Sequence, residues 1–198
     1  MTPGAMEPLV ARLAGALAAR TPRRAERDEP FREAAVALVL RPVAPDDADL
    51  LFIRRATRAG DPWSGQIGLP GGRLDPADTS LEDAALRETL EEVGLDLRAH
   101  GRVLGELDDL RPRTPALPPI IVRPFVVVVP DAPALTLSDE VAEARWVRVG
   151  ELLVPAARVE TTVQVRDLRM RVTAYRHGDF TIWGMTERIL ATFEEVWR

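Results

Sequence analysis

The chain contains no cysteine, which excludes disulfides, thiol nucleophiles and thiolate metal sites together. Lysine and asparagine are missing too, so all 26 cationic residues other than histidine are arginine. A guanidinium fork suits phosphate, but usage this uniform reads as a habit of composition rather than the mark of a site. The two histidines, His100 and His177, stand far apart and read as surface or hydrogen-bonded residues, not metal ligands. No apolar run approaches the ~20 residues of a membrane span. The N-terminal run Leu9 to Ala19 is broken by Arg12 and preceded by Glu7 without a basic flank. It reads as an amphipathic surface helix, not a leader, and the cytoplasm is the expected location. A formal charge of −5 argues against nucleic acid as a partner. What is present is ordinary for a globular protein: 198 residues, 46% apolar and 29% charged.

No internal repeat or low-complexity tract interrupts the chain. Residues 5–20 read as a helix, able to offer a homodimer contact, followed by a charged, proline-bearing connector, Thr21 to Pro30. These form an N-terminal part, 1–30, ahead of a domain over 31–198. Glu33 to Leu40 suits a buried strand, Pro42 to Asp47 a turn, and Asp49 to Arg55 its partner strand. Further strand-like segments fall at 101–107, 120–129, 143–149, 159–165 and 168–175, with a last helix over about 183–197. Strands and helices mixed without regular βαβ alternation predict an α+β fold.

The helix over 79–94 has a marked start, with Thr79 and Glu82 or Ser80 and Asp83 as capping pair. Leu86, Leu90 and Val93 define its expected core stripe, and Gly94 its C-terminal cap. Glu88, Glu91 and Glu92 lie three and four positions apart and are expected to converge on another side. Such crowding suits a hard divalent cation with oxygen ligands. A solvated acidic face would look the same, and context decides between them. Gly71-Gly72 sits upstream, after a strand-like segment, where bare backbone approaches a ligand closely.

The stretch Arg87-Glu88-Thr89-Leu90-Glu91-Glu92-Val93-Gly94-Leu95 resembles the second half of the signature of the Nudix hydrolases, Gly-x5-Glu-x7-Arg-Glu-U-x-Glu-Glu-x-Gly-U, where U is a bulky aliphatic residue. Thr89 stands at a usual aliphatic position, and Asp78, separated from Gly72 by five residues, stands for the first glutamate. The altered spacing, Leu69-Pro70-Gly71-Gly72 through Asp78 to Ala85-Leu86-Arg87-Glu88, is similar to the coenzyme A pyrophosphatase branch. Leu50 to Ala56, Leu107 to Leu110, Ser138 to Val147 and Ile182 to Leu190 resemble further segments of that branch. The loop Asp61 to Ile67, with Trp63, differs from the branch's histidine-containing version.

The resemblance implies an α/β/α sandwich on a mixed sheet and a pyrophosphohydrolase using Mg²⁺ or Mn²⁺. It implies Glu88, Glu91, Glu92 and a carbonyl at Gly72 as metal ligands, with Glu88, Glu91 and Arg87 in the catalytic machinery. An acid from 138–143, Glu140 or Glu143, is a further candidate base. Arg54, Arg55 and Trp63 are the candidate contacts to a nucleotide-containing substrate. Strand alternation lets only one of the two arginines face a cleft. Asp108-Asp109 reads as a turn, Trp183 as core, and the prolines from Pro112 to Pro119 as a stiff loop. Coenzyme A or an acyl derivative is the expected substrate. ADP-ribose or another nucleoside di- or triphosphate is the nearest alternative. A silent nucleotide-binding module and a protein with an incidental acidic helix are the others.

Overall fold

The computed structural model describes residues 7–28, 30–58, 63–112, 119–131, 134–165 and 168–198. Its centre is a mixed sheet built on β1 (Arg32–Ala44), β2 (Asp47–Arg55), β3 (Ile67–Gly68), β4 (Gly71–Arg73), β5 (Arg102–Glu106), β6 (Ile120–Val128) and β7 (Val141–Arg148). The order is β3-β2-β1-β6-β5, with β4 on β1 and β7 on β2. Only β1 and β6 run parallel. Leu38, Leu40, Leu50 and Phe52 face one core, while Ala35, Ala37, Val39, Leu51 and Ile53 face the other. Burial on both faces explains why these strands read as continuous apolar runs instead of alternating ones. The structure carries β1 on to Ala44, so the turn is shorter than Pro42 to Asp47. Pro42 is tolerated because pairing with β6 ends at Leu40, leaving no ladder bond for its missing N–H on that side.

Helix α2 (Leu81–Val93) covers one face. The other carries α1 (Glu7–Ala18), α5 (Met185–Trp197) and a small antiparallel sheet of β8 (Arg158–Val165), β9 (Leu168–His177) and β10 (Phe180–Trp183). This is the expected α/β/α sandwich. Two short helices, α3 (Leu97–His100) and α4 (Val149–Leu152), complete the frame. They, with β3, β4 and β10, are too short to show a period in sequence. Leu9, Leu13 and Leu17 of α1 are buried in the core shared with α5 and the sheet. Asp108 and Asp109 do more than turn the chain. Asp108 accepts from Arg20 and Arg23, and Asp109 accepts from Arg123 and the Ala25 N–H, so the connector is pinned to the sheet.

The sheet divides at β1. Leu40 to Ala44 pair with β2, whereas Ala34 to Val36 pair with β4. Beyond the division β2 pairs instead with β3, while β7 follows its other edge from Asp49 to Arg55. The opening between these two sets of strands is where the candidate site lies.

Candidate active site

The glycine pair is held as a strand. Ala37 donates to the Pro70 carbonyl at 2.9 Å and Leu74 to the Glu33 carbonyl at 3.0 Å, which fixes β4 in register on β1. Gly71 has φ of 149°, and a Cβ there would meet the Ala35 carbonyl oxygen at 2.3 Å. Only glycine fits. A Cβ on Gly72 would stand 2.3 Å from Cδ of Glu88, so the missing side chain is the space the carboxylate occupies. The alternation of the antiparallel ladder turns the Gly72 carbonyl toward Ala35 of β1, because its neighbours at Pro70 and Leu74 are the bonded positions. The backbone facing α2 is that of Gly71, whose N–H reaches Oε2 of Glu92 at 2.9 Å. The Gly72 carbonyl, expected as a metal ligand, is thus turned toward β1 and away from α2.

Helix α2 begins as the Ser80 and Asp83 pair suggests. Ser80 Oγ accepts from the Asp83 N–H, while the Asp83 carboxylate reaches back to the Thr79 N–H. Gly94, in the left-handed region, caps the end. The core stripe differs from expectation: Leu86 and Val93 are buried but Leu90 is 41% exposed. Its place is taken by Ala85, Thr89 and Glu92, which rotates the buried face toward the site. Thr89 is fully buried and donates its hydroxyl to the Ala85 carbonyl at 2.7 Å. The helix thereby satisfies the polar atom, and the residue fills an aliphatic position.

This rotation separates the three glutamates. The Glu92 side chain is 4% exposed and Glu91 58%. Glu88 and Glu92 line a cavity of 420 Å³ together with Gly71, Gly72, Arg55, Trp63, Gln66 and Glu140. Glu91 does not line it; it accepts from Arg87 Nη1 at 3.2 Å on the outer side of the helix. Arg87 is the hub. It donates to both oxygens of Asp78 at 2.9 Å, to Glu88 at 3.0 Å and to the Arg73 carbonyl at 3.1 Å. Asp78, a departure from the family pattern in sequence, is therefore the partner that orients this arginine. Its carboxyl lies below the usual range because of Arg87, against the opposing effect of burial.

Burial pushes the Glu92 carboxyl up to about 7, opposed by the Gly71 N–H and by Arg55, whose Nη1 is 3.7 Å away. Burial also raises Glu88, with Arg87 opposing. Both carboxylates sit where ionisation is costly and cationic compensation is incomplete. A hard divalent cation is the group that such oxygens accommodate. Among the described residues no group of three or more histidine, aspartate and glutamate side chains forms a ready-made metal cage.

The segment before β7 crosses the end of α2: Thr136 and Ser138 donate to the Val93 and Glu92 carbonyls at 2.9 and 3.0 Å. It delivers Glu140 to the cavity, where Glu140 also accepts from Arg58. Glu143 goes elsewhere, bound by Arg54 and Arg145. Of the two strand arginines, Arg55 faces the cavity. Arg54 faces the other way, donates to Glu143 and Asp179, and lies 5.0 Å from the Phe180 ring centroid. Trp63 lines the cavity, while Trp183 and both histidines do not. Residues 59–62 of the Trp63 loop and 113–118 of the proline-bearing loop lie outside the described residues. The opposite end of the cavity is apolar, formed by Ala34, Val36, Ile120, Val122, Met185 and Ile189. Sequence reading offered no sign of that end, because its walls come from three distant elements.

The NUDIX domain model matches residues 30–168. An uncharacterised protein of Schizosaccharomyces pombe is 37% identical over 130 residues, 64% of this chain but only 39% of that protein's length. An uncharacterised Nudix hydrolase of Photorhabdus laumondii, NudL, is 32% identical over 157 residues, covering 78% of this chain and 80% of the relative. Among solved structures, a MutT/nudix family protein from Enterococcus faecalis superposes with a TM-score of 0.57 at 21% identity, covering 87% of this chain and 64% of that one. That likeness bears on the fold alone. With the family model spanning most of the chain and the relative matched along most of both lengths, this protein belongs to the Nudix hydrolase family.

Proposed function

We propose that the protein is a metal-dependent pyrophosphohydrolase that splits the diphosphate of coenzyme A or an acyl derivative into 3′,5′-ADP and 4′-phosphopantetheine. The observation that carries this reading is the pairing of Glu88 and Glu92 at one end of a cavity whose other end is apolar. A diphosphate is anionic and needs neutralising before water can attack it. Mg²⁺ or Mn²⁺ supplies that neutralisation and lowers the pKa of bound water. Glu88 and Glu92 would hold the cation, assisted by the Gly71 carbonyl, with Glu91 as a further ligand or base once released from Arg87. Arg87, held by Asp78, orients Glu88 and Glu91. Glu140, not Glu143, is the acid from the 138–143 segment placed to take the proton as water attacks phosphorus and the bridging P–O bond breaks. Arg55 and Trp63 contact the substrate.

A panel of coenzyme A, ADP-ribose and ATP with Mg²⁺ tests the substrate. Release of 3′,5′-ADP from coenzyme A supports it, and cleavage of ADP-ribose or ATP in its place sinks it. Among the described residues no helix is long and apolar enough to cross a membrane, and we place the protein in the cytoplasm. A homodimer through the outer face of α1 belongs to the same reading, and a monomeric mass in solution would remove it. The division into an N-terminal helix and connector, 1–30, and a domain, 31–198, belongs to it too, and a single unfolding transition shared by both parts would remove it.

A further inference from the structure

Two arginines line the cavity, Arg55 and Arg73, and they serve opposite ends of it. Arg55 stands beside Glu92 at the acidic end. Arg73 stands opposite Ala34 in the β4–β1 ladder. Residues directly opposite in an antiparallel pair project from the same face. Ala34 belongs to the core on the α5 side, with Ile120 and Val122 of the neighbouring strand. The Arg73 stem therefore leaves the sheet on the apolar side of the cavity, while Gly72, one position earlier, leaves room for Glu88 on the other.

The backbone at Arg73 is fixed from two directions. Its carbonyl accepts from Arg87 at 3.1 Å, and the next residue, Leu74, donates to the Glu33 carbonyl at 3.0 Å. Its guanidinium, in contrast, makes no hydrogen bond or ion pair among the described residues. Other arginines near the cavity are committed: Arg87 to Asp78 and Arg58 to Glu140. An anchored stem with an uncommitted planar fork, at the rim of an apolar recess, is an arm set for a second anion.

We infer that Arg73 binds a phosphomonoester that the substrate carries outside the scissile diphosphate, and so selects substrates by that group. The inference rests on the diphosphatase reading above. It adds what that reading leaves open, which part of the substrate lies over the apolar end. The diphosphate occupies the Glu88 and Glu92 end, the uncharged part rests on Ala34, Ile120 and Val122, and the ribose phosphate meets Arg73.

The test compares kcat/KM with Mg²⁺ for coenzyme A against dephospho-coenzyme A, and for NADPH against NADH. The wild-type chain should favour the phosphorylated member by roughly tenfold to a hundredfold, the range of one charge-assisted contact. In Arg73→Gln the ratio should collapse toward one, with the loss in KM, and Arg73→Lys should keep part of it. A preference within the coenzyme A pair alone marks the 3′ position; one within both pairs marks a ribose phosphate at either. A wild-type ratio near one in both pairs, or an unchanged ratio in Arg73→Gln, overturns the inference. Calorimetric binding of 3′,5′-ADP against 5′-AMP reads the same contact without turnover. If no diphosphate is cleaved yet 3′,5′-ADP is preferred through Arg73, the hydrolase reading fails and the anion site stands. Equal binding of the two nucleotides removes the site.

Discussion

Two acidic regions of this molecule, far apart in sequence, behave in opposite ways. At the cavity, burial lifts both Glu88 and Glu92 above the ordinary carboxylate range. On the far face of β2, Glu143 is pushed up by burial, yet Arg145 and Arg54 more than offset it, and Asp179 is lowered chiefly by Arg145. Asp49 repeats the pattern deeper in the fold: burial acts against it, and hydrogen bonds from Arg41 and Arg148 outweigh burial. The chain has 26 arginines for 31 carboxylates and uses them where charge only has to hold strands together. Among the described carboxylates it withholds full compensation at Glu88 and Glu92. A carboxylate that folding leaves short of a cation is a statement about function; one that folding pairs is a statement about structure.

The largest expected effect breaks the first half of that contrast. Glu92→Gln should lower kcat/KM by about a hundredfold or more, while the midpoint of thermal unfolding holds or rises, because an amide can keep the Gly71 contact without a buried charge. Retained activity would sink the hydrolase site. A fall in midpoint would show that Glu92 stabilises the fold after all. Asp49→Asn is the mirror image. It removes the partner of two guanidinium groups and should cost about 2 kcal/mol, below the ~3–5 of a fully buried pair because both arginines keep some water. That corresponds to roughly 4–8 °C in a chain of this size, with activity intact. The sign with pH follows. A depressed folded pKa gives stability that is full above the unfolded value of about 3.9 and is lost as pH falls through the lower folded value. The gap in stability between wild type and Asp49→Asn should therefore close on acidification. A gap that persists at low pH would mean packing, not charge, holds the site.

The strands β1, β2 and β6 were legible because their residues are buried on both faces and carry that signal locally, whereas the sandwich was implied by the family resemblance. Helix α2 was legible as a signature, but its geometry was not. Periodicity placed Leu90 in the core with Leu86 and Val93, whereas the sheet's division at β1 rotates α2 so that Thr89 and Glu92 turn inward. That rotation depends on β4, three residues long, which no pattern in the sequence announces. Arg54 and Arg55 were separable in principle by strand alternation, but which one meets the cavity is set by the pairing of β2 with β7. Asp78 was visible only as a substitution; its partnership with Arg87 spans nine positions across a loop. Arg73 and the apolar end of the cavity could not be read at all, because they arise from the meeting of β1, β4, β6 and α5.

A smaller effect probes the join between the two regimes. Asp78 is paired in the structural manner, yet the arginine it holds touches Glu88 and Glu91. Asp78→Asn should lower kcat/KM by about tenfold and raise the Mg²⁺ concentration for half-maximal rate, the size usual for a group that orients a metal ligand. Asp78→Glu, which can still reach Arg87, should recover part of both. An unchanged Mg²⁺ dependence would make Asp78 a strut and nothing more.

The smallest expected effect belongs to Asp179, and it tests whether the arginine lattice is cooperative. Asp179 accepts from Arg54 at 2.6 Å and from Arg145 at 2.7 Å. Each guanidinium has two other anchors: Glu143 and the Phe180 ring, 5.0 and 4.0 Å from the two. Water reaches Asp179 freely, and exposed ion pairs contribute little because solvent replaces them. Asp179→Asn should leave both the unfolding midpoint and the activity where they are. Glu143→Ala should lower the midpoint by itself, since it removes the less exposed of the two carboxylates that both arginines share and leaves them over Phe180 with only the exposed partner. If the double variant falls by more than the two single changes combined, the lattice acts as one unit. In that case the paired region owes its stability to cooperation among weak contacts, and the contrast with the cavity becomes one between a network and two isolated carboxylates.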